Sequence, residues 1–183
     1  VVIRSINYLI LIYLFASCSQ KPASESRSAL GGKAYGGTFK FMSLEKVNYL
    51  FPMHSMDIYS QRINTQIYES LFKESPDDQS VVPHLIESYK KSSNGLLLTF
   101  KLKKSIFFHE DPCFKDEKRE LNANDIKFVL QFACSKSALN HLSHLLVSKI
   151  VGSEEYYSKS TKSISGIKVL DSHSFTIELT QPF

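Results

Sequence analysis

Residues 94–103 read NGLLLTFKLK. Asn94-Gly95 is a strong short hairpin signal, because both residue types tolerate positive φ. Beyond it Leu96, Leu98, Phe100 and Leu102 fall on one side, and Thr99, Lys101 and Lys103 on the other. Leu97 breaks the alternation. A period of two with one apolar row predicts an antiparallel hairpin over residues 89–102, one face buried and one wet. A second hairpin is predicted near the end. Ile167 and Val169 lead to a turn at Asp171-Ser172-His173, followed by Phe175, Ile177 and Leu179.

Elsewhere the period lengthens to that of a helix. From Asp57 to Phe72, Ile63, Ile67 and Leu71 recur every four residues, with Tyr68 and Phe72 widening the stripe. Pro76-Asp77-Asp78 is turn chemistry. Asn122 can cap a second helix, with Asp125 reaching back as in a capping box. Its face is Ile126, Val129, Leu130 and Ala133, broadened by Phe128 and Phe132. Ser137–Val151, with Leu139, Leu142, Leu145 and Leu146, predicts a third helix. Phe39 and Phe41 alternate briefly like a strand. No internal repeat is present. Strand, helix, hairpin, two helices and hairpin, in that order, predict an α+β fold rather than regular βαβ units.

The chain has 183 residues, 43% hydrophobic and 22% charged, enough apolar surface for a globular core. The net charge of +4 comes from scattered basic residues, whereas a phosphate-binding face clusters them, so no nucleic-acid partner is expected. Gly31-Gly32 and Gly36-Gly37 lie in a polar linker and form no phosphate loop after a strand.

Arg4 precedes the apolar run YLILIYLFA at residues 8–16, too short to span a bilayer, which takes about 20 residues. The run matches the apolar region of a secretory signal. Phe15-Ala16-Ser17-Cys18 follows and resembles the lipobox of bacterial lipoproteins, with Phe15 where that pattern prefers Leu. The expectation is a leader at 1–17, a lipidated Cys18 that anchors the chain to a membrane, and a flexible tether at 18–35. Losing residues 1–17 removes only Arg4 and takes the net charge from +4 to +3.

Residues 105–130, SIFFHEDPCFKDEKRELNANDIKFVL, place His109, Glu110, Asp111 and Cys113 within five positions. A zinc site needs three or four converging ligands. His109 and Cys113 could supply two, and His141 with His144 two more, but no sequence feature brings them together. The expectation is exposed or hydrogen-bonded histidines, no metal and no cofactor.

Several stretches in one order resemble the bacterial extracellular solute-binding proteins of family 5. They are Gly36-Gly37-Thr38-Phe39, Gln66 to Leu71, Val82 to Tyr89, Asn94 to Leu102, Phe107-Phe108-His109, Leu121 to Ile126, and Gly166 to Asp171. The resemblance covers residues 36–183. It implies the N-terminal part of a periplasmic-binding-protein-like, two-lobed α+β fold of the peptide-binding type, with a mixed sheet and helices. Lobe I would start at 36–56, a small extra α+β domain would fill 57–161, and 162–183 would return to lobe I. Lobe II would be absent, as expected of a fragment. The resemblance also makes the 105–130 stretch architectural: strand end, loop and capped helix, with PCFKDEKRE as an insertion.

The implied function is non-covalent binding of a peptide or similar solute, delivered to the permease subunits of an ABC importer at the cell envelope. No catalysis is implied, and the chain carries no HExxH or GxSxG. The alternative is a surface lipoprotein that keeps the fold but binds a protein partner. The ligand-facing residues expected after the first strand are Glu45 and Asn48. With Cys18 lipidated and the protein exported, Cys113 and Cys134 are a candidate disulfide.

Overall fold

The computed structural model describes residues 40–115 and 118–182, together with Thr38 and two short strands. The leader, Cys18, most of the tether, Gly36-Gly37 and Phe39 lie outside the described residues. The chain divides into two compact units, Val1–Ser43 and Leu44–Phe183. In the first, β1 (Arg27–Ser28) pairs antiparallel with β2 (Ala34–Tyr35). The strand expected around Phe41 is not formed: residues 40–43 are irregular, and Phe41 and Met42 are exposed.

The second unit is built on the two predicted hairpins. β5 (Ile86–Lys91) and β6 (Leu97–Leu102) form one, β7 (Ile167–Asp171) and β8 (Ser174–Glu178) the other. They join in a four-stranded sheet of order β5-β6-β8-β7. Every described strand pair is antiparallel, so the mixed sheet expected of the two-lobed fold has no parallel pair among the described residues. A separate two-stranded ribbon pairs β3 (Phe72–Glu74) with β4 (Val81–Pro83).

In the β6–β8 register Phe100 faces Phe175, and their rings stack at 4.9 Å. Around them Ile86, Leu102, Ile126, Cys134, Ile150, Ile164, Ile167 and Ile177 close the core. Strands from both 57–161 and 162–183 thus share one sheet and one core. The boundary expected at 162 runs through a single compact unit. Asn94 and Gly95 sit in the β5–β6 connection, where Gly95 takes a left-handed φ of 72° and the Asn94 side chain accepts the Leu96 N–H at 3.1 Å.

Three helix expectations change. α1 is Ile58–Ile67 and stops before Leu71, because residues from Phe72 pair as β3. Its buried residues are Ser60 and Asn64, not the apolar stripe; Ile63 is half-buried and Ile67 and Tyr68 are exposed.

α2 (Ala123–Ala133) has the predicted capping box: the Asn122 N–H donates to Asp125 Oδ2 at 2.8 Å, and Asn122 Oδ1 accepts the Asn124 N–H at 2.9 Å. Its buried face is narrower than predicted, since Phe128 is 69% and Val129 47% exposed.

The helix expected over Ser137–Val151 is only the four-residue α3 (Ser143–Leu146), with α4 (Ser153–Tyr157) beyond it. Buried Asn140 gives the reason. Its amide N–H groups donate to the carbonyls of Phe132, Ala133 and Ser135, and its Oδ1 accepts the Leu142 N–H. These bonds wrap the chain around the end of α2 instead of letting it continue as helix.

Candidate functional site

The segment expected to face a ligand, residues 43–48, leads through residues 49–56 into α1. Asp57 is the helix cap, its Oδ1 accepting the Ser60 N–H at 2.8 Å. Hydrogen bonds hold the Asp57 carboxyl below its usual range: the Ser60 backbone N–H first, then the Ser60 side chain, and more weakly the Asn48 side chain. The Ser60 hydroxyl, fully buried, accepts the backbone N–H groups of Asn48 at 3.1 Å and Tyr49 at 3.2 Å. One turn on, Asn64 donates its amide to Ser55 Oγ at 2.7 Å. Ser55 Oγ in turn faces the carbonyls of Tyr49 and Phe51 at 3.0 and 2.9 Å. Backbone donors and acceptors at residues 48–51 are thus both met by side chains, Ser60 of α1 and Ser55 within the loop.

Rings fasten the far side. His54 lies edge-on to Tyr49, with centroids 4.2 Å apart, and against His141 at 4.6 Å. The His141 N–H donates to the Met53 carbonyl at 2.9 Å. Phe51 meets Phe132 of α2 edge-to-face at 5.5 Å. Glu45 and Asn48 both lie exposed on this segment, and the Asn48 N–H is tied directly to the start of α1. The buried polar trio Ser55, Ser60 and Asn64 escaped the sequence reading. Its only signal was polar residues at i and i+4 on the helix, which periodicity alone places in solvent.

Among the described residues no group of three or more His, Cys, Asp or Glu could hold an ion. His109 and Glu110 are exposed. Asp111 caps a single 3-10 turn, Pro112–Phe114, accepting the Cys113 N–H at 2.9 Å. The inserted loop is closed by a bridge between Phe107 and Glu120 and by the Phe108 N–H on the Arg119 carbonyl. Arg119 stacks over Phe108 and pairs with Asp125 of α2.

Beside this loop is an open cleft of ≈ 510 Å³, whose lining includes Lys115, Lys118, Arg119, Glu120 and His173. His173 Nε2 lies 3.4 Å from Glu120 Oε1, which also accepts the Ser105 N–H. The Ser105 bond, then the His173 contact, hold the Glu120 carboxyl below its usual range. This pair links residues 53 positions apart, beyond the reach of local pattern.

The candidate disulfide is not formed. Cys113 is exposed on the 3-10 turn and Cys134 is fully buried at the end of α2; both are free thiols. Its hydrogen bond to Asp111 raises the Cys113 thiol, and burial pushes the Cys134 thiol up to about 11. Cys134 is held inside by the apolar core, where the exposed loop does not reach.

With this geometry in hand, the chain can be placed among known proteins. The model of the bacterial extracellular solute-binding proteins, family 5 Middle, matches residues 80–183, more than half of the chain. The chain belongs to that family. It is 33% identical to the dipeptide-binding protein of Escherichia coli over 118 residues, which is 63% of this chain and 21% of that protein. It is 38% identical to di/tripeptide-binding protein 2 of Pseudomonas aeruginosa over 65 residues, 36% of this chain and 12% of that one. Its fold is similar to a periplasmic oligopeptide-binding protein of Borrelia burgdorferi, with a TM-score of 0.62 at 22% identity, over 74% of this chain and 26% of that one. The chain thus matches less than a quarter of the length of these two curated relatives.

Proposed function

We propose that the chain is the N-terminal part of a peptide-binding protein that serves an ABC importer and is anchored to the cell envelope through a lipid on Cys18. The single observation that carries this reading is the family match over residues 80–183, in a fold shared with peptide-binding proteins. In this reading residues 1–17 are the leader, 18–35 the tether and 36–56 the opening of the first lobe. Within it residues 43–48, with Glu45 and Asn48, face the solute. Binding is non-covalent and uses no cofactor: the ligand is enclosed between lobes, its backbone groups are met by polar side chains, and the permease receives it when the lobes part. Such a site excludes water by closure and needs no nucleophile.

The test is to recover the protein from its own cells, release what it holds in acid, and identify it by mass spectrometry. Short peptides, together with a lipid-modified Cys18, are the expected result. A co-purifying protein and no peptide would replace this reading with that of a partner-binding surface lipoprotein.

A further inference from the structure

We infer that Ser60 is the positioning residue of segment 44–56: its buried hydroxyl takes two successive backbone N–H groups, Asn48 and Tyr49, and fixes how the segment leaves the start of α1. The inference rests on the reading of residues 43–48 as ligand-facing, and it names the residue that would set how they join α1.

The arrangement is unusual for a surface helix. A short amphipathic helix ordinarily buries apolar side chains and turns Ser and Asn to water. Here Ser60 is 0% and Asn64 5% exposed, while Ile58 and Ile67 of the same helix lie outside. A buried hydroxyl is costly unless hydrogen-bonded. That of Ser60 has two partners, the Asn48 and Tyr49 N–H groups. The loop is thereby held by its backbone at Ser60. Ser55, seated on Asn64, holds the carbonyl side of the same loop.

The test is amide hydrogen exchange, resolved at single residues, on the full chain as wild type and as Ser60→Ala. The wild type is expected to protect the Asn48 and Tyr49 amides. Ser60→Ala is expected to speed both by about tenfold or more, the scale of one lost hydrogen bond, and to leave the Phe100 amide of β6 unchanged. Ser60→Cys is the second variant. It is close in size, its sulfur is a weaker acceptor, and it is expected to speed the same two amides while keeping the helix packed. Fast exchange at Asn48 and Tyr49 in the wild type, or unchanged exchange in a folded Ser60 variant, overturns the inference. Acceleration spread equally over Phe100 overturns it too, since Ser60 would then support the whole unit and not the segment. These readings need no ligand. A failure to recover peptide in the preceding experiment removes the peptide reading without moving them.

Discussion

Around the four-stranded sheet most buried side chains are apolar, Ile86, Phe100, Leu102, Phe175 and Ile177 among them; around segment 44–56 and α1 they are Ser55, Ser60 and Asn64. The sheet is held by apolar area, which is non-directional and collective. The α1 region is held by hydrogen bonds that contribute about 1 kcal/mol each and depend on angle and distance. One part of the unit is therefore a stiff base. The other is a locally tied segment that can open without melting the base. In the proposed reading the first is the frame that keeps its shape, and the second carries the ligand-facing residues on ties that are individually weak.

The largest expected effect separates two cysteines. In a Cys18→Ser chain at mildly alkaline pH, Cys113 is expected to react with a small thiol reagent at once. Cys134 is expected to react at least ~1,000-fold more slowly, because it waits for opening of the core. Burial also pushes the Cys134 thiol up to about 11, so a smaller thiolate supply adds to its lack of access, while Cys113, itself raised, gains its speed from exposure. Rapid labelling of both, followed by mass spectrometry, would mean the base is not stiff and the comparison fails.

Phe100→Ala is next, expected to cost about 3–5 kcal/mol in urea unfolding, since the ring packs on Phe175 and Tyr89. Gly166→Ala is expected to cost about 1–3 kcal/mol. A Cβ there would stand 2.7 Å from the Val151 carbonyl oxygen and 2.9 Å from that of Glu178. Losses below ~0.5 kcal/mol at either position would show that the sheet contributes less than its burial implies.

Asn122→Ala is smaller, about 1 kcal/mol, and sharpens the comparison from within the base. It removes the acceptor of the Asn124 N–H, and the Asp125 bond to the residue 122 N–H survives. The loss is expected in the equilibrium midpoint by circular dichroism, with an unchanged dependence on denaturant. A changed dependence would mean that the box organises more than its own helix.

How far the residues declared this in advance follows the same division. Both hairpins, the Asn122 cap and the α+β order were legible, because period-two alternation and capping are local rules that the core then reinforces. The break after α2 was not, because it depends on Asn140 reaching back to three carbonyls, and leucines at helical spacing outweigh one Asn in any local count. The mode of holding segment 44–56 was not legible either. Ser60 acts on residues more than ten positions earlier, and nothing in a Ser says whether it faces water or a loop. The position of Asn48 on a segment near α1 came from resemblance to a family, not from chemistry visible in the residues.

The smallest predicted effect bears hardest on that point. Ile67 belongs to the apolar stripe from which α1 was first recognised. If the stripe were the buried face, Ile67→Ser would cost several kcal/mol, the range for emptying a core site. In the structure Ile67 is exposed and Ser60 and Asn64 are the buried pair, so the cost is expected to stay within about 0.5 kcal/mol. Urea unfolding of the full chain gives the number directly. A loss above ~2 kcal/mol would show that the outer side of α1 is covered in the working protein. Both faces of α1 would then be buried, and the contrast between an apolar base and a polar-tied segment would hold only for the inner face of that helix.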